Sequence, residues 1–245
     1  HRVITNGGDQ PNVIPRKASI WWYFRDYTAE GARRLFEQAK KVAEGAALMT
    51  NTSVEVEVNA AVWPTRGNRT LAETVQRNIE LVGMPDWSAE EDALARRAQA
   101  AAKVKVEGLR REIAPLKGPS PQHTSSSDSG DVSWKVPQVK FYFPANIPNI
   151  NFHHWAAGVA LATSIAHKGA AAGAKVLALS VLDCLEQPER VAEAKTTFRE
   201  ELGGTEYKSL LPPEQKPPLE LNRATMEKFR PAMAQHYVAE RPRFA

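Results

Sequence analysis

Two hydrophobic periods follow one another along this chain. Val3 and Ile4 form a short β-branched run, Gly7-Gly8 interrupts it, and Ile20-Trp21-Trp22-Tyr23-Phe24 resumes an apolar, aromatic run that ends on one guanidinium, Arg25. Runs of this kind on either side of a turn predict two strands. Thr28 then precedes Leu35, Ala39, Val42, Ala46 and Met49, spaced by three and four, which predicts a helix ended by Asn51. From Ser53 to Asn59, three valines alternate with Glu55 and Glu57, the period of a strand with one buried face. Residues 1 to 66 thus read strand, strand, helix, strand. That layer is too small to cover its own edges, and a strand interior already at position 3 reads as a chain entered inside a sheet.

Past Pro64-Thr65-Arg66-Gly67-Asn68 the character turns helical. Thr70 and Glu73 have capping-box spacing, and Leu71, Val75, Ile79 and Val82 form a stripe that stops at Gly83. Ser88 and Glu91 repeat the spacing and predict a long Ala-rich helix towards Leu109. Residues 118 to 131 are rich in Pro, Ser and Gly and read as a flexible loop. Val139 to Phe143 predicts a short interior strand, followed by a Pro/Asn loop and Phe152-His153-His154-Trp155. A helix is expected from Ser164 to Leu185, and another from Pro188 to Gly203-Gly204. Pro212, Pro213, Pro217 and Pro218 predict an extended tail, with a short helix around Met226 and a frayed end. The fold class is α/β.

Composition narrows the picture. The apolar share of 42% and charged share of 24% suit a globular chain, and no run of 18 apolar residues spans a membrane. Net charge is +4, with basic and acidic residues interspersed, so nucleic-acid binding gains no support, while an anionic small substrate suits the excess. The lone Cys184 excludes an internal disulfide; it sits in an apolar helical pattern and reads as a core thiol in a reducing, cytoplasmic compartment.

Several residues carry candidate chemistry, each with a bland alternative. His153 and His154 lie between a predicted strand and a predicted helix, where α/β enzymes bind ligands; one imidazole suits a metal, and the alternative is a pair of loop histidines bonded to backbone. Asp128 and Asp131 read either as groups orienting a metal-bound histidine or as helix caps. His167 lies at the start of the long helix, where Gly169 and Gly173 predict close packing against a neighbour. Asn12 and Arg25 suit a carboxylate together, or are a turn asparagine and a surface arginine.

These segments also resemble a known pattern. Asn-Val-Ile-Pro at 12 to 15 with Arg25, Ser127-Asp128-Ser129-Gly130-Asp131-Val132-Ser133-Trp134, Phe152-His153-His154-Trp155 and Ser164-Ile165-Ala166-His167-Lys168-Gly169 are similar to motifs of the zinc-dependent aminoacylase and carboxypeptidase G-type amidohydrolases. The resemblance implies a phosphorylase/hydrolase-like α/β catalytic domain carrying an inserted α+β lid through which subunits pair. Residues 1–66 would be part of that lid and residues 67–245 the C-terminal part of the catalytic domain. Asn12 and Arg25 would hold a substrate carboxylate, and His153 (or His154, if the register slips by one) would be the C-terminal metal ligand. Asp128, Asp131 and His167 would stand behind the metal shell. Two ions of zinc, manganese or cobalt are implied, acting on the amide of an N-acyl or aminobenzoyl amino acid.

The family's remaining ligands and its general base belong to a His-x-Asp, a bridging Asp and a Glu-Glu pair, and none of these motifs is in this sequence. No catalytic residue is therefore expected here. The expectation is a C-terminal portion that is inactive until a chain or segment supplies the N-terminal half, with homo-oligomers formed through the lid. The competing expectation is a non-catalytic dimerisation or scaffold subunit.

Overall fold

The computed structural model describes residues 1–118 and 126–237. The chain divides into two compact units: residues 1–32 with 62–208, and residues 33–61 with 209–245. It is a mixed α and β structure with a small sheet.

In the first unit, β1 (Arg2–Asn6) pairs antiparallel with β2 (Ser19–Trp22), placing Val3 opposite Trp21 and Ile4 opposite Ile20. Both predicted strands form, and Gly8 turns with φ +97° after Asn6, whose side chain accepts its N–H at 3.1 Å. α1 (Ala29–Met49) starts as expected: Thr28 Oγ1 accepts the Gly31 N–H at 2.9 Å. Asn51, in the left-handed region at φ 52°, closes its C-terminal end.

α2 (Arg69–Val82), α6 (Ser164–Glu186) and α7 (Pro188–Leu202) pack on one another. The cap of α2 is not Thr70. Asn68 holds that place, its Oδ1 accepting the Leu71 N–H at 3.1 Å while its Nδ2 donates to the Ala194 carbonyl at 2.9 Å. Glu73 instead pairs with Arg69 at 2.7 Å. The buried Asn68 thus starts one helix and ties it to another, which sets the start of α2 two residues earlier than the capping-box spacing does.

α3 (Ala89–Ala101) has the full capping box expected from Ser88 and Glu91. It ends eight residues short of Leu109, because Lys103 turns left-handed at φ 55°. The returning loop is held by the buried Gln99. Its Oε1 accepts the N–H groups of Glu107 at 3.0 Å and Gly108 at 2.9 Å, and its Nε2 donates to the carbonyls of Gly108 at 3.2 Å and Pro148 at 3.0 Å. All four hydrogen-bonding positions of the amide are filled, so its desolvation in the core is compensated. Around it Trp87, Ala95, Leu109, Ile147, Ile150 and Ile165 form the apolar core, with α5 (Trp155–Ala160) adding three alanines.

Two predicted strands do not appear as ladders. Residues 53–59 and 139–143 run without an assigned turn or bend but belong to no strand ladder among the described residues. Alternation fixes which side chains share a face, but only a neighbour at hydrogen-bonding distance makes a strand.

In the second unit, α1 continues from Arg33; Leu35 and Phe36 are half-buried, while Val42, Leu48 and Met49 stand exposed. The proline-rich tail is turned rather than continuously extended, with Gln215 N–H bonded to the Pro212 carbonyl, and leads to α8 (Arg223–Ala234), the predicted short helix. No described helix is long and apolar enough to cross a membrane. Residues 119–125 of the predicted flexible loop and the expected frayed end, 238–245, lie outside the described residues.

Candidate functional site

α5 begins at the paired histidines, and the two do different things. His154 is the N-cap of α5: its Nδ1 accepts the Ala156 N–H at 3.2 Å, and its ring lies against Trp155 with centroids 5.2 Å apart. An imidazole that accepts there is unprotonated at Nδ1, and only Nε2 remains for other partners. His153 is exposed; its backbone N–H is tied to Asn151 Oδ1 at 2.9 Å, and among the described residues its imidazole has no bonding partner. The residue whose ring nitrogens are uncommitted is therefore His153.

Zinc sites take about four donors. Among the described residues no three His, Cys, Asp or Glu side chains gather into a metal-holding group. His153 is one donor, not a site, so no chemical step is derived from a metal on this chain alone. His167 lies exposed in the first turn of α6, with its backbone N–H bonded to the Thr163 carbonyl at 3.3 Å.

The Ser/Gly motif has a structural job. α4 (Ser129–Val132) carries Asp131, whose Oδ1 accepts the Trp63 N–H at 3.0 Å. Ser133 Oγ accepts the Arg66 N–H at 3.0 Å, and Trp134 Nε1 donates to the Pro64 carbonyl at 2.7 Å. Gly130 completes the junction: a Cβ there would overlap the Trp63 carbonyl oxygen. The rings of Trp63 and Trp134 meet edge to face at 4.6 Å, with the Arg66 guanidinium 4.6 Å above Trp134. Asp131 thus bonds a backbone amide through one of its two carboxylate oxygens. Asp128 precedes α4 without capping it and accepts the Ser127 hydroxyl at 3.1 Å.

Arg25 lies exposed three residues beyond β2. Its guanidinium is 5.3 Å from the Tyr23 ring and donates to Ser126 Oγ at 3.4 Å, so it reaches the edge of the Ser-rich loop. Asn12 is exposed in the loop joining β1 to β2. That loop leaves from the Asn6/Ser19 end of the hairpin, whereas Arg25 follows the Arg2/Trp22 end. The hairpin thus sets the two side chains at opposite ends.

One charged cluster was not singled out from the sequence beyond its cap. Glu91 Oε2 accepts Ser88 N–H and Lys168 Nζ, both at 2.8 Å, and Oε1 accepts the Ser164 hydroxyl at 2.6 Å. The Lys168 ammonium, then the Ser164 and Ser88 donors, lower the Glu91 carboxyl from 4.5 to about 2. Lys168 Nζ also donates to the Asp86 carbonyl at 2.8 Å, so α3, α6 and the loop before α3 meet at one ion pair. The signal was present in the capping box, but its partners on α6 lie more than seventy residues away.

No family model matches the chain. Its relatives among known proteins are hydrolases of the M20 peptidase family, and the resemblance carried by the four motifs is borne out at that level. The chain is 31% identical over 209 residues to the B subunit of p-aminobenzoyl-glutamate hydrolase of Escherichia coli (strain K12), covering 75% of this chain and 44% of that protein. It is 28% identical over 200 residues to the Xaa-Arg dipeptidase of Mus musculus and 27% identical over 200 residues to that of Homo sapiens, in both cases covering 81% of this chain, and 40% and 39% of those proteins. The chain thus spans less than half the length of these relatives.

Proposed function

We propose that this chain is the C-terminal portion of a metal-dependent amidohydrolase acting on N-acyl or aminobenzoyl amino acids. The observation that carries the reading is the 31% identity with the B subunit of p-aminobenzoyl-glutamate hydrolase over most of this chain. In this reading residues 1–66 are part of a lid through which copies pair, and residues 67–245 belong to the catalytic domain. Another chain or segment supplies the N-terminal half, with the general base and the other ligands. The complete enzyme holds two ions of zinc, manganese or cobalt and works in the cytoplasm.

This chain's own contribution is to bind and orient. His153, with its uncommitted imidazole, would be one of several ligands to an ion in the complete site, where the ion would supply activation of water. Arg25 holds the substrate carboxylate, its forked donors suiting two oxygens. Asn12, at the other end of the hairpin, is a second donor to such a carboxylate from a paired lid. His154 keeps α5 in place behind His153.

The test is a chimera in which this chain replaces the matched region of the E. coli relative, assayed for p-aminobenzoate release from p-aminobenzoyl-glutamate. The expected result is metal-dependent turnover by the chimera and none by the isolated chain. Turnover by the isolated chain, or a folded, metal-loaded chimera without turnover, overturns the reading. The second outcome favours the alternative of a non-catalytic scaffold subunit, which the word "subunit" in that relative's name keeps in view.

A further inference from the structure

Asn6 is the only asparagine of the chain that is followed by glycine. It closes β1, paired with Ser19 across a register irregularity between Ile4 and Asn6, and both Asn6 and Gly7 are exposed. The Asn6 side chain is tied locally. Its Oδ1 accepts the Gly8 N–H at 3.1 Å, which closes a ring containing the Asn6 Cγ and the Gly7 nitrogen. The carboxamide is thereby folded towards the peptide nitrogen that follows it, and its carbonyl is polarised by a donor. Gly8 holds this shape at φ +97°, and Pro15 Cβ stands 3.2 Å from where a Gly8 Cβ would be. Among the described residues the Gly7 N–H itself takes part in no hydrogen bond.

An asparagine carboxamide is a latent electrophile, and the next peptide nitrogen is a latent nucleophile. In most sequences the side chain of the next residue crowds that nitrogen; glycine has none. We infer that Asn6–Gly7 is a site of spontaneous modification, at which the Gly7 nitrogen displaces ammonia from the Asn6 carboxamide and leaves an aspartyl or isoaspartyl linkage at the end of the hairpin. The Gly7 nitrogen, its proton lost to solvent base, bonds to Asn6 Cγ. The Cγ–Nδ2 bond breaks, and ammonia leaves with a proton from water. The cyclic imide then takes up water. Opening at one carbonyl gives aspartate; opening at the other gives isoaspartate, with the main chain re-routed through Cβ. Ammonia is lost, water is gained, and no electron is transferred. Both products add a negative charge beside the turn. The isoaspartyl form also turns the carbonyl that holds Gly8 into main chain, next to the Thr5–Ser19 hydroxyl contact of 2.6 Å, and so loosens this end of the hairpin.

The test is ageing of the chain at mildly alkaline and mildly acidic pH, followed by tryptic digestion and tandem mass spectrometry. Isoaspartate is read separately by labelling with an isoaspartyl methyltransferase. Cleavage after Arg2 and Arg16 leaves Asn6 and Asn12 in one peptide, so the exposed Asn12, followed by Val13, is an internal control. The expected result is conversion of Asn6, mainly to isoaspartate, with Asn12 intact. The rate rises with pH, because the attacking nitrogen must lose its proton. Gly7→Ala slows the conversion by about tenfold, since a Cβ crowds that nitrogen. The variant keeps the hairpin: Gly7 is not in the left-handed region, and its added Cβ would stand 3.4 Å from Ile4 Cγ2, an ordinary contact. Equal conversion of Asn6 and Asn12, a wild-type rate in folded Gly7→Ala, or conversion of Asn6 only after unfolding in urea overturns the proposal.

Discussion

Replacing Glu91 by glutamine removes one charge and little else from the junction of α3 and α6. The carboxylate accepts three hydrogen bonds at 2.6–2.8 Å, one of them from the Lys168 ammonium. Its descent from 4.5 to about 2 corresponds to about 3 kcal/mol in favour of the ionised form. Lys168 is 41% exposed, so solvent screens the pair and about 2 kcal/mol remains. The folded-state carboxyl is more acidic than the unfolded one, so this stability is complete above about pH 4.5 and drains away as pH falls through about 2. Urea unfolding followed by circular dichroism should give Glu91→Gln a deficit of about 2 kcal/mol at pH 7, shrinking towards zero near pH 2. A deficit under about 0.5 kcal/mol at pH 7, or one of equal size at both pH values, would refute the assignment of that stability to the charge.

Gln99→Leu keeps the bulk but leaves two N–H groups and two carbonyls without partners, and should cost about 3 kcal/mol or more in the same unfolding assay. Gly130→Ala forces a methyl onto the Trp63 carbonyl and should cost about 1–3 kcal/mol, read as a lower midpoint of urea unfolding. His154→Ala should lose about 1 kcal/mol of cap stability while His153→Ala loses none, and in the chimera only His153→Ala should lower bound metal, measured by elemental analysis. Arg25→Ala in the chimera should raise KM with kcat little changed, by about 1.5–3 kcal/mol of lost charged hydrogen bond.

Local signals were readable where they act within a few residues. The turn at Gly7-Gly8, the capping box of Ser88 and Glu91, the stop at Gly83 and Pro188 in the first turn of α7 were all legible, because each satisfies the chain's own backbone nearby. Gly169 and Gly173 announced a close approach, and α6 meets residues 143 and 144 there. What escaped was set by distant partners. Thr70 satisfies a spacing rule, yet Asn68 caps α2 because it also bonds Ala194. The left-handed turn at Lys103 is stabilised by Gln99 reaching across to a loop, which no periodicity encodes. Residues 53–59 and 139–143 have strand patterns, but a pattern does not provide the neighbour that makes a ladder. At the candidate site the sequence found both histidines, but only the geometry separates the helix-capping His154 from His153.

We propose that this chain completes a hydrolytic site to which it gives an imidazole and a guanidinium. The most direct measurement is p-aminobenzoyl-glutamate hydrolysis by the metal-loaded chimera beside its His153→Ala form. Turnover is expected in the first and its loss in the second, with the fold unchanged by circular dichroism. Equal turnover in the two would contradict it.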